Sequence, residues 1–331
     1  MTNRPNVLWI MADQLRFDYL SCYGHPHLHT PHIDALAKRG VQFTSARVQS
    51  PVCGPSRMSA YTGRYPRSHG STWNGIPLRV GEPTLGDHLR EVGAKAVLVG
   101  KTHMVADQHG LAWLGIDPDS EIGVRVSQCG FEAFERDDGL HPDSARQNWS
   151  AYDDYLVSHG FSSANPWGDF ANSGLDEDGD LLSGWLLKNS RLKANVPEEH
   201  SETAYLTDRA IEFMKSEMDS DTPWVCHLSY IKPHWPYIVP APYHDMYDES
   251  HVVDPIRNAA ERDTDHPLMS AYLNARVCKS FARDEVRTHV IPAYMGLIKQ
   301  LDDNIGRLFA WMDDNGLSEN TIIVMSSDHG D

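Results

Sequence analysis

The chain is short of positive charge, of cysteine and of long apolar runs, and each shortage removes a class of protein. Lys and Arg number 29 against 46 Asp and Glu, giving a formal net charge of −17. A surface of that sign repels phosphate backbones and anionic headgroups, so neither a nucleic acid nor a membrane is expected as partner. No stretch approaches the roughly 20 consecutive apolar residues of a membrane span. The opening Met1-Thr-Asn-Arg-Pro5 turns polar too quickly for a secretory signal. The five cysteines, at 22, 53, 129, 226 and 278, show neither a pairing rhythm nor Cys-x-x-Cys metal spacing. A reducing, cytoplasmic setting is the expectation.

What is present is a chain of 331 residues, 40% hydrophobic and 23% charged, long enough for one large α/β domain or two ordinary ones. Four apolar runs read as buried parallel strands, and each leads straight into polar residues. Val7–Met11 leads to Asp13-Gln14, and Ala96–Val99 leads through Gly100 to Lys101-Thr-His103. Trp224–Tyr230 leads to Lys232-Pro-His234, and Thr321–Met325 leads to Asp328-His329. Open α/β sheets bind ligands outside the carboxyl ends of their strands, where the loops converge. Helical segments alternate with these strands. One runs from Thr30-Pro31 to Gly40, and others span Thr84 to Glu91 and Ser201 to Met218. The longest runs from Asp284 to Asn315, with Pro292 expected to kink it or mark its start. The fold predicted is a mostly parallel α/β sheet sandwiched between helices. Residues 104–200 and 240–283 read as irregular loops or a cap. Asp176-Glu-Asp-Gly-Asp180 reads as a solvated acidic turn, because a calcium loop needs a glutamate where Leu187 stands.

An acidic chain that binds an anion must gather positive potential locally. Asp13, Asp328 and His329 end the first and last strands, and two carboxylates with an imidazole suit Mn²⁺, or Ca²⁺ if oxygen ligands predominate. Cys53, just before Pro55, stands at the positive end of a short helix closed by Gly63, with Arg57 one turn on and in reach of the side chain of residue 53. Lys101, His103 and His234 supply charge for the oxygens of a tetrahedral anion. Asn74 is either a further donor or a turn residue. Most of the 18 histidines lie outside these clusters and are expected on the surface.

Five motifs carry a resemblance that covers most of the chain. They are Asn6-Val-Leu-x-Ile-x-x-Asp-Gln14, Cys53-Gly-Pro-Ser-Arg57, Gly100-Lys-Thr-His103, Lys232-Pro-His-x-Pro236 and Ser327-Asp-His-Gly-Asp331. In this order they resemble the type I sulfatases and phosphonate monoester hydrolases, the formylglycine-dependent branch of the alkaline phosphatase superfamily. The resemblance implies an alkaline phosphatase-like fold, with residues 1–331 as one catalytic domain. It implies that a maturation enzyme converts Cys53 to 3-oxoalanine (formylglycine), and that Asp13, Cys53, Asp328 and His329 hold one divalent metal. Arg57, Lys101, His103 and His234 would serve catalysis, with Gln14 and Asn74 at the substrate. Gln14 stands where many sulfatases have Asp and His329 where many have Asn. Both departures resemble the phosphonate monoester hydrolases, whereas Lys101-Thr-His103 resembles the sulfatases. Members continue past the last motif with a smaller C-terminal subdomain carrying a lysine that assists the leaving group, and this sequence stops at Asp331.

The function expected is hydrolysis of a small sulfate ester through the hydrate of the Cys53 aldehyde. Phosphonate monoester or phosphodiester hydrolysis is the alternative, and a non-catalytic anion-binding homologue is the reading from another class. A homo-oligomer is left open.

Overall fold

The computed structural model describes residues 4–139 and 149–330. Five strands, β1 (Asn6–Ala12), β2 (Lys95–Gly100), β3 (Glu132–Arg136), β6 (Trp224–Tyr230) and β7 (Thr321–Ser327), form one parallel sheet in the order β3-β2-β6-β1-β7. Two short strands, β4 (Ser173–Leu175) and β5 (Leu181–Ser183), pair as a separate hairpin. The expected α/β sandwich is therefore present, and the alternation of side chains along each strand shows why. Leu8, Ile10 and Ala12 of β1, Val97 and Val99 of β2, and Cys226, Leu228 and Tyr230 of β6 all enter one core. Helices Glu202–Ser216 and Asp284–Asp314 cover that face through Leu206, Phe213, Leu297, Leu301 and Ile305. The alternate residues Ala96 and Leu98 enter a second core under helix Cys53–Thr62, with Met58, Tyr61 and Phe131. Burying each such Leu, Ile or Phe side chain stabilises by about 1.5–3 kcal/mol, so the two-residue period fixes the register of the sheet.

Adjacent strands end level. Ala12 pairs with both Tyr230 and Ser327, so the residues after β1, β6 and β7 emerge side by side. β1 lies between β6 and β7, while the chain returns to β2 beyond β6. The crossovers leave in both directions from this point, which is where open α/β sheets place their ligands.

The structure departs from the sequence reading in several places. Residues 104–200 are not loop alone: they contain β3, which closes one edge of the main sheet, and helices Gln108–Leu114, Glu121–Val126 and Ala151–Ser158. The Glu-Ala-Phe-Glu-Arg sequence of β3 lacks the apolar run of a central strand because an edge strand needs none. Residues 240–283 likewise contain helices Pro267–Asn274 and Arg276–Phe281. The long helix starts at Asp284 and continues through Pro292, whose side chain is buried with its neighbours. Packing of that face outweighs the roughly 3 kcal/mol that an interior proline costs. The helix expected from Ser201 runs only to Ser216, with the Ser201 hydroxyl capping it by accepting from Ala204 N. Asp176–Asp180 is the turn between β4 and β5, as expected of a solvated acidic loop. His25, His69 and His227 are buried rather than superficial.

Candidate active site

The first two carboxylates are set by the sheet. Asp13 N donates to Tyr230 O (3.2 Å) and Asp328 N to Ala12 O (3.3 Å), each continuing its strand by one bond. Their side chains are fully buried and share one guanidinium: Arg57 Nε is 2.9 Å from Asp328 Oδ2, and its NH2 is 3.4 Å from Asp13 Oδ2. The other face of Arg57 donates to Lys101 O (2.9 Å) and Ser229 Oγ (2.7 Å). The sequence suggests a hydrogen bond from Arg57 to the side chain of residue 53. In the structure Arg57 braces the carboxylates, whose buried charge its guanidinium offsets. Asp328 Oδ1 also accepts from Gln14 N (3.0 Å) and His329 N (2.8 Å). Gln14 adopts φ +60°, a strained conformation outside glycine, and Tyr294 from the long helix donates to its carbonyl. The main chain of Gln14 thus supports the site.

Cys53 opens its helix where expected. Val52 is extended, Ser56 N donates to Val52 O (3.0 Å), and Pro55 occupies the first turn, where its missing N–H costs nothing. Asn74 accepts from Gly54 N through Oδ1 (2.8 Å), satisfying one of the first-turn amides. Asn74 also lies in a turn, closed by Ile76 N donating to Trp73 O (3.2 Å). The helix closes at Gly63, whose φ of +66° favours glycine. Cys53 Sγ lies 3.4 Å from Asp13 Oδ1 and 3.0 Å from His329 Nε2. Burial, with Asp13 beside it, pushes the thiol well above its usual range.

Lys101 is wholly buried with Nζ 2.5 Å from Asp13 Oδ2. Burial alone would push the Asp13 carboxyl up, but Lys101, Arg57 and His234 together hold it far below the usual range. Asp328 moves the other way, raised by burial and by Asp13 in spite of Arg57. The two imidazoles shift alike. Burial lowers both His103 and His234 to about 4, and Lys101 reinforces this in each. That shift favours the neutral imidazole of both near pH 7. His234 shares a short hydrogen bond between Nδ1 and Trp235 O, which leaves Nε2 as the lone-pair nitrogen. Lys232, beneath it, donates to Asn172 Oδ1 (3.2 Å) and Pro236 O (2.9 Å) and holds the loop.

The donor set fits a divalent cation. One ligand atom each from Asp13, Cys53, Asp328 and His329 lies within 4.8 Å of all the others, and all four residues are buried. His329 contacts Gly330 O through Nδ1 (2.7 Å), the bond that frees Nε2 as a ligand lone pair. Two adjacent carboxylates, one of them raised by the other, are a pair that added positive charge would relieve. Among the described residues, His32, Asp302 and Asp303 also cluster. There Lys299 already pairs with both carboxylates, and Asp302 accepts from the main-chain N–H groups of His32 and Ile33.

Sequence reasoning misses several residues that build this site. Ser229 and Ser56, which anchors Asp328 O through its hydroxyl, lie within apolar or motif runs where a hydroxyl draws no notice. Asp138, which accepts from Thr102 N and His103 N, follows a strand that the apolar pattern does not mark.

A parallel α/β sheet with a buried cluster of this composition at its carboxyl edge can be compared with known proteins. The sulfatase family model matches residues 5–331, and the chain belongs to the sulfatase family, within the alkaline phosphatase superfamily. It is 31% identical to the multifunctional alkaline phosphatase superfamily protein PehA of Trinickia caryophylli, over 99% of this chain and 63% of that protein. It is 26% identical to an arylsulfatase of Clostridium perfringens, over 99% of this chain and 63% of the other. The structure superposes on the phosphonate monoester hydrolase SpPMH of Silicibacter pomeroyi with a TM-score of 0.80 at 28% identity, covering 99% of this chain and 63% of that one. The chain thus spans somewhat under two thirds of the length of these relatives.

Proposed function

We propose that the protein hydrolyses small anionic esters, sulfate esters first, using Cys53 in its 3-oxoalanine form. One observation carries this reading. The Cys53 side chain, at the N-terminus of its helix, is within 3.4 Å of Asp13 and 3.0 Å of His329, so nucleophile and metal ligands occupy one spot. A protonated thiol is a poor partner for a hard cation held by carboxylates, whereas the hydrate of an aldehyde offers oxygen. A bound Ca²⁺ or Mn²⁺ would supply Lewis-acid charge to the ester oxygens. Arg57 offers positive charge to both Asp13 and Asp328. Lys101, dry and charged, offers its ammonium to the oxygens of the transferring group, and the helix N-terminus adds its dipole. His103, with a buried Nδ1 lacking a hydrogen-bond partner, would take the proton of the hydrate hydroxyl that does not attack, as the bond from the other hydroxyl oxygen to the anion breaks and the aldehyde is restored.

Phosphonate monoesters are the second reading, supported by the TM-score of 0.80 with a phosphonate monoester hydrolase. Initial rates on an aryl sulfate and on an aryl phosphonate monoester, with the same leaving group, separate the two. Faster sulfate turnover supports the order given, and a phosphonate rate far above it reverses that order. No turnover of either by aldehyde-bearing, metal-loaded protein would favour a non-catalytic anion binder.

A further inference from the structure

We propose that Asp138, clamped by Arg136, is the positioning residue that holds His103 in the site. This rests on the role given to His103 above and adds a residue outside all five sequence motifs.

His103 adopts φ +56°, a conformation that residues with a side chain rarely hold without support. Nδ1 of its ring does not supply that support, being buried without a hydrogen-bond partner. The hydrogen bonds that hold His103 are on its backbone. Asp138 grips that backbone: Oδ1 accepts from both Thr102 N and His103 N, each at 2.9 Å. The other oxygen, Oδ2, receives Nε (2.9 Å) and NH2 (2.8 Å) of Arg136 in a two-pronged pair. Arg136 NH2 also donates to Met104 O (2.8 Å). One ion pair thus holds the amide of His103 and the carbonyl of the next residue. Burial would push the Asp138 carboxyl up, but Arg136 and the two amides hold it below its usual range, so it stays ionised.

β3 brings the pair into place. Its register runs Gly100↔Arg136, and Asp137 N donates to Gly100 O (3.1 Å), which sets Asp138 beside Thr102. Lys101 is held differently. Its N–H donates to Ser229 O (3.0 Å) and its carbonyl accepts from Arg57, so loss of Asp138 should release His103 and leave Lys101 in place.

The test pairs kinetics with crystallography on the full chain. Asp138→Ala is expected to lower kcat by about 100-fold, the effect of misplacing a reacting group by about 1 Å, with KM unchanged. Asp138→Asn keeps the Oδ1 acceptor but turns an amide N–H group toward Arg136, so it should recover only part of that loss. Added to His103→Ala, Asp138→Ala should cost nothing more, since it acts only through the imidazole. If Asp138→Ala does not fold, Arg136→Met takes its place, with a smaller loss that also vanishes in the His103→Ala background. Losses that multiply with His103→Ala would overturn the proposal. A crystal structure of the variant decides independently of activity, so it holds even if the wild type turns over neither ester. His103 should leave positive φ while Lys101 Nζ stays on Asp13, and an unmoved His103 would refute the inference.

Discussion

Arg57 and Asp328 face each other with Nε 2.9 Å from Oδ2, both side chains fully buried. The same guanidinium reaches Asp13, so one cation serves two carboxylates whose titrations are driven in opposite directions. Replacing Arg57 with Ala leaves Asp13 to Lys101 but strands Asp328, and breaking a buried pair costs about 3–5 kcal/mol. Urea denaturation should show a loss of that size, partly recovered by millimolar Ca²⁺ or Mn²⁺. Arg57→Lys should lie between, because an ammonium cannot reproduce the forked contacts. A wild-type midpoint in Arg57→Ala would contradict this picture of the site.

Gly54 and Asn74 make a second, finer test. A Cβ on Gly54 would sit 2.8 Å from Asn74 Oδ1, the atom that now accepts from Gly54 N. Gly54→Ala should therefore expel the Asn74 amide and forfeit that hydrogen bond. Asn74→Ala alone should cost about 1 kcal/mol, and the double variant less than the sum. Full additivity in thermal unfolding would mean that the two residues do not act together.

Much of this site is legible in the sequence because each expected strand delivers its polar residues at a fixed offset. Asp13, Lys101 and Asp328 sit where an apolar run stops, and a parallel sheet aligns those ends without further information. Cys53 stands out through the proline and glycine that punctuate its helix. Asp138 does not, because β3 has charged residues on a sheet edge and no apolar period to mark it. The protonation of His103 and His234 is illegible for a different reason. Desolvation depends on what packs around a side chain, and spacing along the chain carries no record of it. The fully buried His227 is the same case. It accepts from Tyr61 OH (2.9 Å) inside the second core, and burial with Arg57 nearby lowers it to about 3.

Asp302 gives stability a pH dependence of unusual sign. Burial raises its carboxyl from 3.8 to about 6, against the two main-chain N–H groups it accepts at the start of helix Pro31–Arg39. The folded state thus binds this proton more tightly than the unfolded state. The group's stabilising contribution is full below its unfolded value and is lost as pH rises through about 6. The loss is about 3 kcal/mol at most, since each tenfold difference in proton affinity between the two states is worth about 1.4 kcal/mol. Asp302→Asn keeps an acceptor without the charge, so its stability relative to wild type should rise between pH 4 and 6. A difference that stays flat with pH would show that the carboxyl is not raised.

His234 is presented on a loop braced by Lys232. His234→Ala is expected to lower turnover by about 100-fold, within the range for a general acid or base, and to leave the fold intact. Circular dichroism and kcat measured together check this, and an unchanged kcat in folded protein removes His234 from the reaction.

The central claim is that residue 53 acts as an aldehyde and not as a thiol. Its most direct measurement is mass spectrometry of the tryptic peptide Val48–Arg57 from protein produced with and without a formylglycine-generating enzyme. Active protein should carry the aldehyde in place of the Cys53 thiol, and ester hydrolysis should be lost when the maturation enzyme is absent. Fully active protein carrying only unmodified Cys53 would contradict the claim.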